Sequence, residues 1–275
     1  MPDLTTYRIF TSLSMILRML FRRKIAIILL AVIPVVFLSI VEFTASERVL
    51  PFRLASLSEK TYIEIIERGI SLIFLAVASA GFLVSFLALN LIQRNSEVNM
   101  RLVICGYHPI ELLISILLSL LLMISLIGVY VGLLTNIFFP VDHLASFMLG
   151  LMLTGYVYGC YGLAVGSVIK GELEGILFIV LLANIDAGWL QNPLFYTGAQ
   201  NQAVIKLLPA YYPSQTAIIA AFTDYSINKA SLYSLIYGSI FLLLSTIIFF
   251  RKMHIRKIAH GSSHTQNPVK DSCPV

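Results

Sequence analysis

Charge is what this 275-residue chain has least of: Asp, Glu, Lys and Arg make up 12% of it, against roughly 25% in an average soluble domain. The shortage is uneven. Gly69 to Gln93, Leu112 to Val141, Leu144 to Ile169 and Ala230 to Phe250 hold none of the four residue types, and each can supply the ~20 residues a helix needs to cross hydrocarbon. A soluble core has no use for runs of that length, so a soluble globular domain is excluded. Cysteine is scarce too: Cys105, Cys160 and Cys273 lie far apart and form no C-x-x-C pair, which implies neither a disulfide framework nor a thiolate metal site. No Gly-Lys dipeptide occurs anywhere, so the phosphate loop G-x-x-x-x-G-K-[ST] is absent. No Ser-His-Asp, H-E-x-x-H or paired-carboxylate arrangement stands in usable register, which disfavours a membrane hydrolase.

Apolar residues, by contrast, make up 58% of the chain. Ile25 to Val41, followed by the single Glu42 and then Phe43 to Ala45, adds a fifth span. Leu173 to Leu190, interrupted by Asn184 and Asp186, adds a sixth. The expected fold is therefore all-α and polytopic: a segment 1–24, a membrane domain over 25–250 with spans at about 25–45, 69–92, 111–135, 144–169, 173–190 and 230–250, and a basic tail over 251–275. His254, His260 and His264 lie in that tail beside Gly261, Ser262 and Ser263, and a disordered end is expected there rather than a metal site. Twenty-four polar-to-amphipathic residues precede the first apolar run and Thr44-Ala45-Ser46 is a poor cleavage site, so the first span reads as retained rather than as a signal peptide.

Six spans put both termini on one side. Thirteen Lys and Arg fall on that side and six on the other, where four of the six are mixed with Glu47, Glu59, Glu64 and Glu67; the positive-inside rule makes both termini cytoplasmic. The net charge of +5 does not point to nucleic acid, because the basic residues flank spans, where they set topology and meet anionic head groups. Membrane lipids are the expected partners of those charges.

Ahead of the first span, Ile9, Phe10, Leu13, Ile16, Leu17, Leu20 and Phe21 share one face of a helical wheel, with Arg8, Thr11, Ser12, Arg18 and Arg22 opposite. This is the pattern of a helix lying flat on the inner leaflet, or of a cytoplasmic extension of span one. Between spans two and three, Glu97 and Arg101 are spaced i,i+4, and Gly106 followed by Pro109 supplies a stop and a break. That spacing predicts a short cytoplasmic helix: either a docking surface for a soluble partner or an ordinary connector. Between spans five and six, the apolar pieces Ala203 to Leu208 and Ala217 to Phe222 are too short to cross and are separated by Pro209 and Pro213. Two readings stand, a re-entrant pair of half-helices entered from outside and a surface loop with interfacial helices. Trp189, Tyr196, Tyr211 and Tyr212 suit an interfacial belt. In the outer stretch Ser46 to Arg68, Ser56 and Glu59 have capping-box spacing, which predicts a short helix leading into span two.

Taken together, these features resemble the membrane-spanning subunit of ABC-2 type transporters, a bacterial exporter family. Met100-Arg101-Leu102 through Gly106-Tyr107-His108-Pro109-Ile110-Glu111-Leu112 looks like the family's stretch entering the third span, and Leu207-Leu208-Pro209 resembles its L-x-P element. Ile116 stands where many members carry Lys. The resemblance implies a permease of the bacterial inner membrane that exports an amphipathic, drug-like, antibiotic or lipid-like molecule and is not itself an enzyme. It further implies that Glu97, Val98, Arg101, Leu102 and Cys105 form the coupling helix. ATP and Mg would be bound by a separate ABC ATPase subunit, and a second permease copy, identical or related, would complete the unit.

Ionisable and polar groups inside spans are costly and become functional candidates. Glu42 lies about 25 Å up span one from Lys24 and lines an exit or pairs with the nearby Arg48. Asn184, Asp186 and Gln191 cluster at the outer end of span five, lining a vestibule or forming a structural network with the hairpin, where Tyr211 and Tyr212 join the candidates. Gly155, Gly159, Gly162 and Gly166 recur at near-helical spacing and predict a close helix crossing, either internal to the chain, which is favoured, or at a seam between two copies. The alternatives to an ATP-driven exporter are an ion-gradient-driven transporter, against which the lack of a mid-depth carboxylate counts, and a non-transporting scaffold or immunity protein.

Overall fold

The computed structural model describes residues 4–53, 62–169, 171–191 and 202–264. Among the described residues the fold is all-α apart from one strand pair. Helix α1 runs Leu4–Phe21, α2 Lys24–Thr44, α3 Glu67–Ile104, α4 Pro109–Phe138, α5 Leu144–Val168 and α6 Glu172–Ala183. A π-helical segment, Asn184–Leu190, continues α6 directly; then come α7 Gln202–Lys206, α8 Tyr211–Phe222 and α9 Asn228–His264. Among the described residues, five helices are long and apolar enough to cross a membrane: α2, α3, α4, α5 and α9.

Helix α5 is the central rib, packing against α3, α4, α8 and α9. The glycine series is what lets neighbours approach. A Cβ on Gly162 would overlap the Ser85 carbonyl oxygen of α3, and one on Gly166 would stand 3.3 Å from the Leu89 oxygen. The crossing is thus internal to the chain, between α3 and α5, as small residues in a membrane interface allow.

Four expectations change. The outer stretch before α3 is not helical: β1, Val49–Arg53, pairs antiparallel with β2, Tyr62–Ile66, in the register Val49↔Ile66 to Arg53↔Tyr62. Tyr62-Ile63-Glu64-Ile65-Ile66 is rich in β-branched and aromatic residues that fit a pleated surface; the Ser56 and Glu59 spacing lies outside the described residues. Second, the segment after span two is no separate short helix. Helix α3 continues unbroken for 38 residues to Ile104, because nothing between Gln93 and Cys105 is Gly or Pro and the first breaker is Gly106. Third, the basic tail is helical as far as His264, there being no proline before Pro268. Fourth, Ser12, assigned to the polar face of α1, is buried with Ile16, while Phe10 and Tyr7 are each 70% exposed. Helix α1 turns that side toward α4, where the Ser115 hydroxyl donates to the Ile9 carbonyl at 3.1 Å.

Pro34 sits inside α2 and is buried. It leaves the Leu30 carbonyl without its helical donor, and the Tyr130 hydroxyl from α4 donates to the adjacent Ala31 carbonyl at 2.7 Å. This pins an otherwise largely exposed helix at mid-length.

Candidate functional site

Asp186 lies in the π-helical segment and is fully buried. Its Oδ2 accepts the Tyr158 hydroxyl of α5 at 2.6 Å and the Ala210 backbone N–H at 2.8 Å, while Oδ1 accepts the Gln191 side-chain amide at 3.2 Å. The Gln191 N–H also donates back to the Asp186 carbonyl at 3.1 Å. A lone buried carboxylate is costly unless hydrogen-bonded, and here three donors from three directions meet it. Ala210 belongs to the turn between α7 and α8, so the carboxylate fastens that turn to α5 and to the end of α6.

The surrounding aromatics extend the contact. Tyr211 is buried and meets Tyr212 edge-on at 5.0 Å; Tyr212 lies 5.0 Å from Tyr233 of α9. The Tyr237 hydroxyl donates to the Leu207 carbonyl. Helix α8 then runs back along α5: a Cβ on Gly150 would stand 2.9 Å from the Ala217 Cα, the His143 N–H donates to the Ala220 carbonyl at 3.2 Å, and His143 Nε2 lies 2.8 Å from Asp224 Oδ1. From Tyr158 to Leu144 is about 21 Å of helix. The turn at Ala210 therefore lies beside the middle of α5, and Asp186 lies there with it.

Of the six residues proposed for a substrate path, the structure gathers Asp186 and Gln191, with Tyr211 and Tyr212 on the adjoining turn of α8. Asn184 points elsewhere, exposed and donating to its own Val180 carbonyl at 2.8 Å. Glu42 is remote from this cluster. Its partner is not Arg48 but Arg68, whose NH1 lies 3.3 Å from Glu42 and 3.5 Å from Glu47. The strand pair explains the exchange: Val49 faces Ile66 and the Glu67 N–H donates to the Arg48 carbonyl at 2.8 Å, so the start of α3 returns to the end of α2. Tyr158 and the Ala210 N–H went unanticipated. Three tyrosines, Tyr156, Tyr158 and Tyr161, in a glycine-rich span were the available signal, since a buried hydroxyl needs a partner, but nothing in the sequence singles out Tyr158 among them. The side chain of Trp189, and Tyr196 altogether, lie outside the described residues.

At the other end of the molecule, α3 closes in a Schellman turn: the Tyr107 N–H bonds the Leu102 carbonyl at 3.0 Å, the Gly106 N–H bonds that of Val103 at 3.2 Å, and Gly106 has φ of 93°. Pro109 opens α4 with His108 as its cap; the Ile110 N–H donates to His108 Nδ1 at 3.3 Å, and the His108 N–H donates to Glu111 at 3.2 Å. Arg8 of α1 braces this corner, donating to the Gly106 carbonyl at 3.2 Å with its guanidinium 5.3 Å above the Tyr107 ring. Arg101 and Cys105 are exposed here, Val98 and Leu102 half-buried; the Glu97 side chain lies outside the described residues. Nearby, Gln93 donates to the Ile169 and Gly171 carbonyls at 3.1 and 3.2 Å, and Arg94 pairs with Glu172 at 2.7 Å.

No protein-family model matches the chain, and no curated protein matches it.

Proposed function

We propose that the chain is the permease subunit of an ATP-driven exporter of the ABC-2 type, moving an amphipathic molecule across a bacterial inner membrane. In this reading α6 and its π-helical continuation form span five, which brings the total to six, and α7, the Ala210 turn and α8 form a re-entrant hairpin on the outer side between spans five and six. Helix α1 is the cytoplasmic interface helix, both termini are cytoplasmic, and a second permease copy or relative completes the pore. A separate ABC ATPase holds ATP and Mg.

One observation carries the proposal. Helix α3 is about 57 Å long, nearly twice the ~30 Å of bilayer hydrocarbon, and its part beyond Ser96 extends a further 12 Å or so before the Schellman turn. Its end is braced by Arg8 of α1, and α1 is itself held to α4 by the Ser115 hydroxyl on the Ile9 carbonyl. A rigid, braced projection whose base is a membrane span can transmit a push from a soluble motor into the bilayer, whereas a flexible connector cannot. The hairpin reading draws support from α8 running from mid-α5 to the start of α5, with its buried turn fastened at Asp186.

The experiment is co-purification of the full chain from its native membranes, with recovery of a phosphate-loop ATPase. The pair Glu97→Lys with Arg101→Glu should release the ATPase while the chain stays inserted. Transport by the chain alone, reconstituted without any ATPase, would defeat the proposal.

Asp186 gives specific support to a second reading. It is a carboxylate beside the middle of a span, the feature whose apparent lack counted against an ion-gradient-driven transporter. That reading requires transport to follow an imposed ion or proton gradient and to stop in Asp186→Asn.

A further inference from the structure

The elbow between α1 and α2 carries Arg22, Arg23 and Lys24, and among the described residues none of the three is in an ion pair. These residues form one end of a cavity of about 890 Å³ between α2 and α3, toward the top of the roughly 300–1,000 Å³ typical of ligand sites. Asn90 and Arg94 of α3 also line the cavity, Arg94 with its charge already matched by Glu172. The walls are apolar, with Leu30 and Ile33 on α2 facing Leu83, Phe86 and Leu87 on α3. Ile25 and Leu29 on its rim are 76% and 51% exposed, so the cavity opens sideways past α2 and is not sealed.

Two magnitudes select the occupant. From Lys24 to Ile33 is about 14 Å of helix, which matches one leaflet of a bilayer whose hydrocarbon is ~30 Å thick. The unmatched positive charge stands at one end only, joined there by the first turn of α2, whose cap residue Arg23 contributes no side-chain hydrogen bond; helix N-termini and basic clusters both favour phosphate. An apolar slot one leaflet deep with a cationic mouth has the shape and polarity of a phospholipid.

We propose that this groove binds one anionic membrane lipid, its head-group phosphate held by Arg22, Arg23 and Lys24 and an acyl chain lying along Leu30, Leu83 and Leu87. The lipid fills the gap between α2 and α3 and ties the α1–α2 elbow to the body of the protein. The inference needs only that the chain lies in a bilayer and does not rest on the exporter reading.

The test is native mass spectrometry on the delipidated full chain, titrated separately with phosphatidylglycerol, phosphatidylcholine and inorganic phosphate. One phosphatidylglycerol should be retained under conditions that strip phosphatidylcholine and leave no phosphate bound. Replacing Arg22, Arg23 and Lys24 together by Gln should weaken retention roughly tenfold or more. Ile27→Trp, which fills the slot and keeps every charge, should weaken it as well. Equal retention of the two lipids overturns the proposal, as does undiminished binding in either variant. If the triple variant fails to insert, the lipid comparison on the unaltered chain and Ile27→Trp still decide.

Discussion

The Tyr158–Asp186 bond is the point where the fold is most exposed to a quantitative test. Tyr158→Phe removes one donor from a carboxylate that keeps two others. At 2.6 Å the bond is in the short range of charge-assisted O–H···O contacts, worth about 1.5–3 kcal/mol in soluble proteins, but helix-to-helix hydrogen bonds in membranes average about 0.6 and reach about 1.7 kcal/mol. The short length argues for the upper end of the membrane range, about 1.5 kcal/mol. Asp186→Ala is worse: it strands the Tyr158 hydroxyl, the Ala210 N–H and one arm of Gln191, at about 1 kcal/mol each, or about 3 kcal/mol. The double variant should cost no more than Asp186→Ala alone, since Phe at 158 removes a hydroxyl already stranded. That gives a coupling energy of about 1.5 kcal/mol, measurable by reversible unfolding of the detergent-solubilised full chain. Additive losses, with coupling below about 0.3 kcal/mol, refute the claim that Asp186 fastens the α7–α8 turn to α5.

Three further outcomes follow from the geometry. Gly150→Ala drives a Cβ to within 2.9 Å of Ala217 backbone atoms, which cannot rotate away, and should cost about 1–3 kcal/mol of stability; Gly155→Ala meets only side-chain methyls of Val84 and Ile124 at 3.2 and 3.3 Å and should cost about 1 kcal/mol or less in the same melting assay. Arg94→Ala breaks an ion pair whose side chains are 45% and 47% exposed and should cost under about 1 kcal/mol, whereas Gln93→Ala takes the side-chain donor from the Ile169 carbonyl at the α5–α6 turn, the Gly171 carbonyl keeping the Gly175 N–H at 3.2 Å, and should cost more; equal losses would contradict this ranking. With Cys273 replaced by Ser, the proposed orientation requires an impermeant maleimide to label the exposed Cys105 from the cytoplasmic face alone and to leave the buried Cys160 unmodified; labelling of Cys105 from outside overturns that proposal.

The helices were legible because hydrocarbon tolerates no charge, so their extents are written as charge-free runs. Their ends were legible where a breaker stands: Gly106 and Pro109 occupy the positions their backbone preferences require. Polarity misled at the end of α3, because the polar residues after Gln93 mark where the chain leaves the membrane, not where it leaves the helix. The strand pair was hidden since its second half needs a partner segment that local propensity does not reveal. The Asp186 cluster was half legible. The carboxylate and Gln191 declare themselves in an apolar run, but Tyr158 is 28 residues away and the third donor is a backbone N–H, which no side-chain pattern records. Glu42 failed in the same manner: its nearest cation in sequence is Arg48, and only the strand register brings Arg68 closer.

What Asp186 does in place follows from its lone pairs. An ionised carboxylate offers about four acceptor sites, and Tyr158, Ala210 and Gln191 already engage three. One site, on Oδ1, stays open to a cation; a cation bridging to Oδ2 would have to displace the Tyr158 hydroxyl or the Ala210 N–H, and loss of the latter would release the α7–α8 turn from α5. A gradient-driven mechanism that took the ion onto Oδ2 in place of the Ala210 N–H would require the turn to detach in every cycle. The flanking contacts oppose that, because Tyr211 is buried and Gly150 is closed onto Ala217. Asp186→Asn separates the cases: a fastener loses stability and keeps whatever ion dependence the chain has, whereas an ion site loses the ion dependence first.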